Sequence, residues 1–281
     1  MIVYLNGSFL EKDRAKVSVF DRGFLYGDGV FETLRVYSGR AFRLRAHLER
    51  LKNGLKTLGI PCPDLRELET IIQSVIEKNS LKDAYLRLTV TRGLCKRGPI
   101  PKDCGPPTVF CFAEDFNGLP ENLYLEGVKI GLSRRPQWRL PEESHVKGVS
   151  FLPNIIDRMS TTEGEFDLLY LTPEGFVSET TVCNIFFIKD NTLYTPSLEC
   201  APLAGITRET VMEIGRKKGL QTIEGRFKLS DLKEAEEVFL TNTLVEVLPV
   251  RQFQDVTFEI GPWTRKIMDG YRELVKQETS D

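Results

Sequence analysis

Histidine is nearly absent from this chain of 281 residues, with only His47 and His145 present. The six cysteines, Cys62, Cys95, Cys104, Cys111, Cys183 and Cys200, form no Cys-x-x-Cys pair. A zinc centre needs nitrogen and sulfur donors at close spacing, so no metal is expected, and reduced thiols are the expectation for all six cysteines. No apolar run approaches the roughly 20 residues that span a bilayer. The opening Met1-Ile2-Val3-Tyr4-Leu5-Asn6-Gly7 lacks the charged and apolar regions of an export signal and reads as a strand ending in a turn. No Gly-x-Gly-x-x-Gly follows a strand and there is no Walker-type loop, which removes support for dinucleotide and nucleoside-triphosphate binding. Neither sign of charge dominates: 38 Lys and Arg face 40 Asp and Glu, a net charge of -2. Nucleic acid and membrane surfaces therefore gain no electrostatic support as partners. Internal repeats and low-complexity tracts are also missing. These absences leave a cytoplasmic enzyme acting on small molecules as the expectation.

What is present suits a packed core. Hydrophobic residues make up 41% and charged residues 28%, and the length allows one large domain or two ordinary ones. Asn6-Gly7 and Ser38-Gly39 are hairpin-type turns between apolar runs. Residues 30–37 read as a strand, with 41–42 as its partner. Leu44, Leu48, Leu51, Leu55 and Leu58 then share one helical face that ends at Gly59 and Pro61. A second helix fits 65–78, and strands fit 84–91 and 108–113. Asn117-Gly118, Pro120 and several charges suggest an interdomain linker at 117–126, separating a domain of residues 1–116 from one of 127–281. In the latter, strands fit 128–132, 168–171, 184–188, 193–195, 238–240 and 245–250. Helices fit 153–164, 207–218 and 262–275.

Three segments of the second half form a chemical series. His145-Val146-Lys147-Gly148-Val149-Ser150-Phe151-Leu152-Pro153-Asn154 offers a lysine. Phe176-Val177-Ser178-Glu179-Thr180-Thr181-Val182-Cys183-Asn184-Ile185-Phe186 offers a carboxylate. Leu203-Ala204-Gly205-Ile206-Thr207-Arg208 offers a glycine-led helix start. A lysine can form an imine, a carboxylate can pair with a ring cation, and a helix start can hold a phosphate. Together they suit an aldehyde cofactor bearing a phosphate, pyridoxal 5'-phosphate (PLP).

With Tyr26-Gly27-Asp28-Gly29-Val30-Phe31-Glu32, His47-Leu48-Glu49-Arg50-Leu51, Thr241-Asn242-Thr243 and Trp263-Thr264-Arg265-Lys266 in the same order, the chain resembles the class IV, fold-type IV PLP enzymes. These are D-amino-acid transaminases, branched-chain aminotransferases and aminodeoxychorismate lyases. The resemblance covers nearly the whole chain. It implies an α/β (α+β) fold with a smaller N-terminal α/β domain, a larger C-terminal domain built on a barrel-like sheet, and the cofactor between them. It also implies a homodimer whose neighbour contributes to the active site.

On that resemblance Lys147 is the Schiff-base and catalytic lysine, and Glu179 faces the pyridine nitrogen. Arg50 gives a forked contact to the phosphate. Ile206 and Thr207 hold the phosphate at a helix start, Thr243 adds a hydroxyl, Asn242 adds a backbone or amide donor, and Leu203 packs on the ring. Taken singly, Lys147 would read as a solvated lysine, Glu179 as a strand-end glutamate, and Leu203 as ordinary core. Thr180 stands where the family usually has glycine.

Tyr26, Phe31 and Arg97 lie on the substrate side of the resemblance. Arg97 occupies the place of a carboxylate-binding arginine in D-amino-acid transaminases. Those enzymes have histidine two positions later, where this chain has Pro99, and tyrosine at the position of Phe31. Arg22 and Arg87 are further candidates for the carboxylate. Thr33 and Arg97 argue against the branched-chain enzymes. Phe31-Glu32-Thr33 and Arg97-Gly98 resemble the lyases, whereas Leu152-Pro153-Asn154 and the Trp-Thr-Arg-Lys segment resemble the D-amino-acid transaminases. The expectation is a transaminase working on a D-amino acid and a 2-oxo acid. Aminodeoxychorismate lyase is the alternative, followed by a branched-chain L-amino-acid aminotransferase.

Overall fold

The computed structural model describes residues 1–280. The chain divides into two compact units. The first comprises Met1–Asn117, His145–Phe151 and the residues from Gln277 onward; the second comprises Gly118–Ser144 and Leu152–Lys276.

The first unit is built on β1 (Ile2–Leu5), β2 (Ser8–Glu11), β3 (Gly29–Tyr37), β4 (Arg40–Ala41), β5 (Ala84–Thr91) and β6 (Thr108–Asp115). These form one antiparallel sheet in the order β2-β1-β6-β5-β3-β4. Asn6 and Gly7, and likewise Ser38 and Gly39, all take positive φ, as the tight turns between β1 and β2 and between β3 and β4 require. A short helix, α1 (Arg22–Tyr26), precedes β3, and α2 (Leu44–Leu58) and α3 (Leu65–Lys78) follow β4. The leucine stripe of α2 puts Leu48, Leu51 and Leu55 into a core with Leu34, Val36, Leu86, Leu88 and Val90 of the sheet. Gly59 ends α2 in the left-handed region, and the Asp64 carboxylate caps α3 by accepting from the Arg66 and Glu67 N–H groups.

The second unit carries α4 (Glu121–Glu126), β7 (Val128–Leu132), α5 (Leu152–Arg158), β8 (Glu165–Leu171), β9 (Val177–Thr180), β10 (Asn184–Lys189) and β11 (Thr192–Pro196). It continues with α6 (Ile206–Lys217), β12 (Gln221–Gly225), α7 (Leu229–Lys233), β13 (Glu237–Asn242), β14 (Glu246–Phe253), β15 (Val256–Thr257) and α8 (Pro262–Thr279). Its nine-stranded sheet runs β12-β11-β10-β13-β14-β7-β8-β9, with β15 beside β14. Pairs β11/β12, β14/β7 and β7/β8 are parallel and the others antiparallel. Strand β9, at one end of that order, returns against β10 and β11, so the sheet curls into a half-barrel. Glu237 on β13 accepts from the Trp263 and Thr264 N–H groups and so caps α8. None of the described helices is long and apolar enough to cross a membrane.

Three expectations shift. Residues 117–126 are more than a linker: Leu119, Leu123 and Tyr124 pack on the core of the second unit, which orders α4. The segment with Lys147 is grouped with the first unit because it hydrogen-bonds along β3. The helix expected over 153–164 stops at Arg158. There the Ser160 and Thr161 hydroxyls donate to the carbonyls of Asp157 and Arg158, and the Glu165 carboxylate accepts from the Thr162 N–H, so side chains take over the backbone bonding.

Candidate active site

In the first unit the lysine segment lies against the start of β3. The Phe31 N–H donates to the Lys147 carbonyl at 2.9 Å and the Val149 N–H donates to the Gly29 carbonyl at 3.1 Å. This pairing uses the part of β3 that the two-residue β4 leaves uncovered. Alternation along a strand then sets the side chains. Lys147 Nζ stands 4.8 Å from the centre of the Phe31 ring, and the Arg87 guanidinium lies over the same ring at 3.7 Å. Two cations therefore share one aromatic residue.

Beneath them Glu32 is fully buried. It accepts from Arg50 Nε at 2.8 Å and Nη2 at 2.6 Å, and meets His47 Nδ1 at 2.7 Å. Burial alone would raise Glu32, but the charge and hydrogen bonds of Arg50, with the hydrogen bond of His47, outweigh it and hold the carboxyl at about 2. Burial pushes His47 below its ordinary value against the pull of Glu32, and the charges of Arg50 and Lys147 push the same way. His47 is thus a neutral ring that donates through Nδ1. The forked contact expected of Arg50 toward a phosphate is made to Glu32 instead.

Arg97 is exposed in the excursion between β5 and β6, and it has no ion-pair or hydrogen-bond partner among the described residues. Arg22, a candidate grip for a substrate carboxylate, is buried. Its Nε donates to Asp28 at 2.6 Å, and its Nη1 and Nη2 donate to the Gly98 and Pro99 carbonyls at 2.7 and 2.8 Å. Burial would raise Asp28, but hydrogen bonds from Arg92 and Arg22 and their charges hold it below the usual range. Arg22 is therefore a brace for the Arg97 loop. Tyr26 is exposed at the end of α1, with the Arg22 guanidinium 4.6 Å from its ring centre. Cys95 and Cys104 are joined in a disulfide, which corrects the expectation of six reduced thiols. The loop doubles back through hydrogen bonds from Lys96 N–H to the Lys102 carbonyl and from Gly105 N–H to the Leu94 carbonyl, and this brings the two sulfurs together.

In the second unit Glu179 sits on β9, buried, with a partner for each carboxylate oxygen. Oε1 accepts from Arg139 Nη1 at 2.5 Å and Gln137 Nε2 at 3.3 Å. Oε2 accepts from the Leu203 N–H at 3.0 Å and Asn184 Nδ2 at 3.3 Å. Asn184 also donates to the Leu203 carbonyl at 2.8 Å. Leu203 is thus tied by its main chain to the carboxylate it was expected to accompany. Gln137 and Arg139 carried no sequence signal, since they lie in an aperiodic stretch after β7. The Gln137 side-chain oxygen accepts from the N–H groups of Trp138 and Arg139, a local turn that aims Arg139 at Glu179.

Helix α6 begins at Ile206 and Thr207, both buried, behind Gly205, whose position makes no side-chain cap. The first-turn N–H groups are left for an anion, and the helix dipole favours one there. A Cβ on Gly205 would collide with Asn184 Oδ1. The Asn242 side chain is engaged elsewhere: its amide donates to the Val182 carbonyl and accepts from Leu244 and Val245 N–H, holding the turn after β13, so only the backbone form of the expected donor is carried forward. Thr243 is half-buried in that turn.

The family profile described as amino-transferase class IV matches residues 29–253. A Methanocaldococcus jannaschii protein named "Putative branched-chain-amino-acid aminotransferase" is 36% identical, over 98% of this chain and 96% of its own length. The aminodeoxychorismate lyase of Bacillus subtilis is 33% identical, over 98% and 95%. The D-alanine aminotransferase of Bacillus licheniformis is 29% identical, over 100% and 99%. Among solved structures, the branched-chain aminotransferase of the thermophilic archaeon Thermoproteus uzoniensis with norvaline superposes with a TM-score of 0.90 at 29% identity, covering 100% of this chain and 96% of that one. The chain belongs to the class IV aminotransferases, which are PLP-dependent enzymes of fold type IV. Each unit carries groups of the kinds this cofactor needs: the first an amine beside an aromatic ring, the second a buried carboxylate held by four donors and an uncapped helix start behind a glycine.

Proposed function

We propose that the protein is a cytoplasmic transaminase that exchanges an amino group between a D-amino acid and a 2-oxo acid. The observation that carries this reading is Arg97, an exposed guanidinium on a loop braced by Arg22. An exposed guanidinium with no partner among the described residues suits a substrate carboxylate. Lys147 anchors the cofactor and is the catalytic residue. Glu179 faces the pyridine nitrogen, Leu203 packs beside the ring, and Ile206, Thr207, Asn242 and Thr243 surround the phosphate through N–H and hydroxyl groups. Arg50 belongs to the phosphate side of this reading, with its Nε and Nη2 fixed by Glu32. PLP, when bound, supplies an electron-accepting ring conjugated to the substrate. Lys147 Nζ takes the proton from the substrate Cα, and the cations Arg97 and Arg87 orient the carboxylate. Tyr26 and Phe31 line the substrate side.

A homodimer belongs to this reading. The first unit exposes Val19, Phe20, Phe24 and Leu25, and the second exposes Leu152, Ile155, Ile156 and Met159 on and after α5. Apolar surface of that extent is suited to burial by a second copy of the chain.

A branched-chain L-amino-acid reading draws on the 36% identity to the Methanocaldococcus jannaschii relative and on the apolar Phe31 beside Lys147. The lyase reading draws on the Bacillus subtilis relative. A half-reaction tests all three. The PLP-loaded protein is mixed separately with D-alanine, D-glutamate, L-leucine and L-glutamate, without a keto acid. Loss of the cofactor's visible absorbance with D-compounds is expected. Loss with L-compounds alone would establish the branched-chain reading instead. Pyruvate release from aminodeoxychorismate, with no response to the four, would establish the lyase.

A further inference from the structure

We propose that Cys95 and Cys104 are positioning residues, forming a redox-sensitive staple that sets affinity for carboxylate substrates by fixing the loop that presents Arg97. The inference rests on the reading of Arg97 as the carboxylate grip.

The neck of the loop is secured without the disulfide. The β5/β6 ladder runs to Thr91 and Thr108. Asp21 accepts from both threonine hydroxyls, at 2.7 and 2.6 Å. Gly93, at φ +77°, brings the chain against the Pro106 carbonyl more closely than any Cβ would allow. The staple lies beyond this neck, so it acts on the loop tip.

At the tip, Arg97 is braced on both sides. Arg22 holds the carbonyls of Gly98 and Pro99 on one side. On the other side are the disulfide, the Lys96–Lys102 hydrogen bond at 3.0 Å, and an ion pair from Lys96 to Asp103 at 2.5 Å. Both ion-pair side chains are largely exposed, at 75% and 67%, so that pair holds the loop weakly. The disulfide is the strong tie on that side. Cys104 is exposed and Cys95 half-buried, within reach of a small dithiol.

Opening is a balanced exchange. A dithiol gives two electrons and two protons to the two sulfurs, the Sγ–Sγ bond becomes two thiols, and the dithiol closes to its own disulfide. A disulfide oxidant such as oxidised glutathione reverses it and leaves as two thiols. With the staple open, Arg97 samples more orientations while Lys147, in the segment paired to β3, is untouched. Binding weakens equally in ground and transition states, which raises KM and spares kcat.

The experiment uses the PLP-loaded enzyme, either oxidised with oxidised glutathione or reduced with dithiothreitol and desalted. The probe is D-alanine, or L-leucine if that is the enantiomer turned over, since both carry an α-carboxylate. Thiol titration in denaturant should find the four free cysteines Cys62, Cys111, Cys183 and Cys200 after oxidation and all six after reduction. Reduction should raise KM roughly tenfold, the low end of what losing one charged hydrogen bond costs. The kcat should stay within about twofold, and reoxidation should restore KM. The double variant Cys95→Ser/Cys104→Ser should match the reduced enzyme under both treatments. Arg97→Ala should show the high KM in both states. Six thiols after oxidation, an unchanged KM, or an Arg97→Ala enzyme that still responds to reduction would overturn the staple. An Arg97→Ala enzyme with the KM of the oxidised wild type would overturn the carboxylate reading, and the staple with it. A raised KM in Arg97→Ala without any redox response in the wild type would overturn the staple alone.

Discussion

Glu32→Gln is the substitution whose cost the structure specifies most fully. Glutamine keeps the shape of the side chain and removes its charge, leaving Arg50 buried opposite a neutral amide. The Glu32 carboxyl is held at about 2 against an ordinary 4.5. That gap corresponds to about 3 kcal/mol of stability at neutral pH. Breaking a buried ion pair from one side costs about 3–5 kcal/mol in general, which is the same range. A loss of about 3 kcal/mol should lower the melting temperature of a protein of this size by roughly 6–12 °C. The PLP-free protein, followed by thermal and urea unfolding at pH 7, gives the comparison.

The pH dependence makes the argument specific. A carboxyl depressed on folding stabilises the native state fully above its unfolded value, and that stability is lost as pH falls toward the folded value. The gap between wild type and Glu32→Gln should therefore be constant from pH 8 to about 5 and narrow between about 4.5 and 2. His47 titrates below its ordinary value and would add its own slope. Both proteins should therefore also be compared in a His47→Gln background, where Arg50 remains to hold the carboxylate down. A gap under about 0.5 kcal/mol at pH 7, or one that does not shrink below pH 4.5, would refute the reasoning.

Lys147→Ala should abolish turnover and the visible absorbance of the PLP-loaded protein, and undiminished turnover would remove Lys147 from the mechanism. Gly205→Ala drives a methyl into Asn184 Oδ1 and so disturbs the side chain that ties Leu203 to Glu179. PLP binding should weaken about tenfold, the cost of roughly one charged hydrogen bond, and an unaltered dissociation constant would contradict the proposed cup. Arg139→Ala strands the buried Glu179 carboxylate and should destabilise the PLP-free protein by about 3 kcal/mol. Adding Glu179→Gln should recover part of that loss, and strictly additive costs in the double variant would mean that the pair is not coupled.

Those variants separate what the sequence made legible from what it hid. The stripe from Leu44 to Leu58 is a local pattern, and α2 follows it to the residue because one face must be buried. Asn6-Gly7 and Ser38-Gly39 are equally local, since their backbone can turn where most residues cannot. The expectations for Lys147 and Glu179 have a different source: each sits in a run of neighbours that matches the family, so order along the chain, and not a local pattern, singled them out. Arg139, Gln137 and the Cys95–Cys104 pair had no such run. Their roles arise from tertiary placement, Arg139 through a turn made by the Gln137 side chain and Cys95 through a loop that doubles back on itself. Arg50 shows the same limit within a motif. The motif marked it as a cation, but Glu32, 18 residues away, takes its fork. A buried guanidinium must be neutralised by whichever carboxylate the fold brings to it, and in this fold that requirement is met before any phosphate binds. The geometry of Arg50 is therefore fixed and its charge balanced by Glu32, and that is why the prediction about Glu32 concerns stability first and the cofactor second.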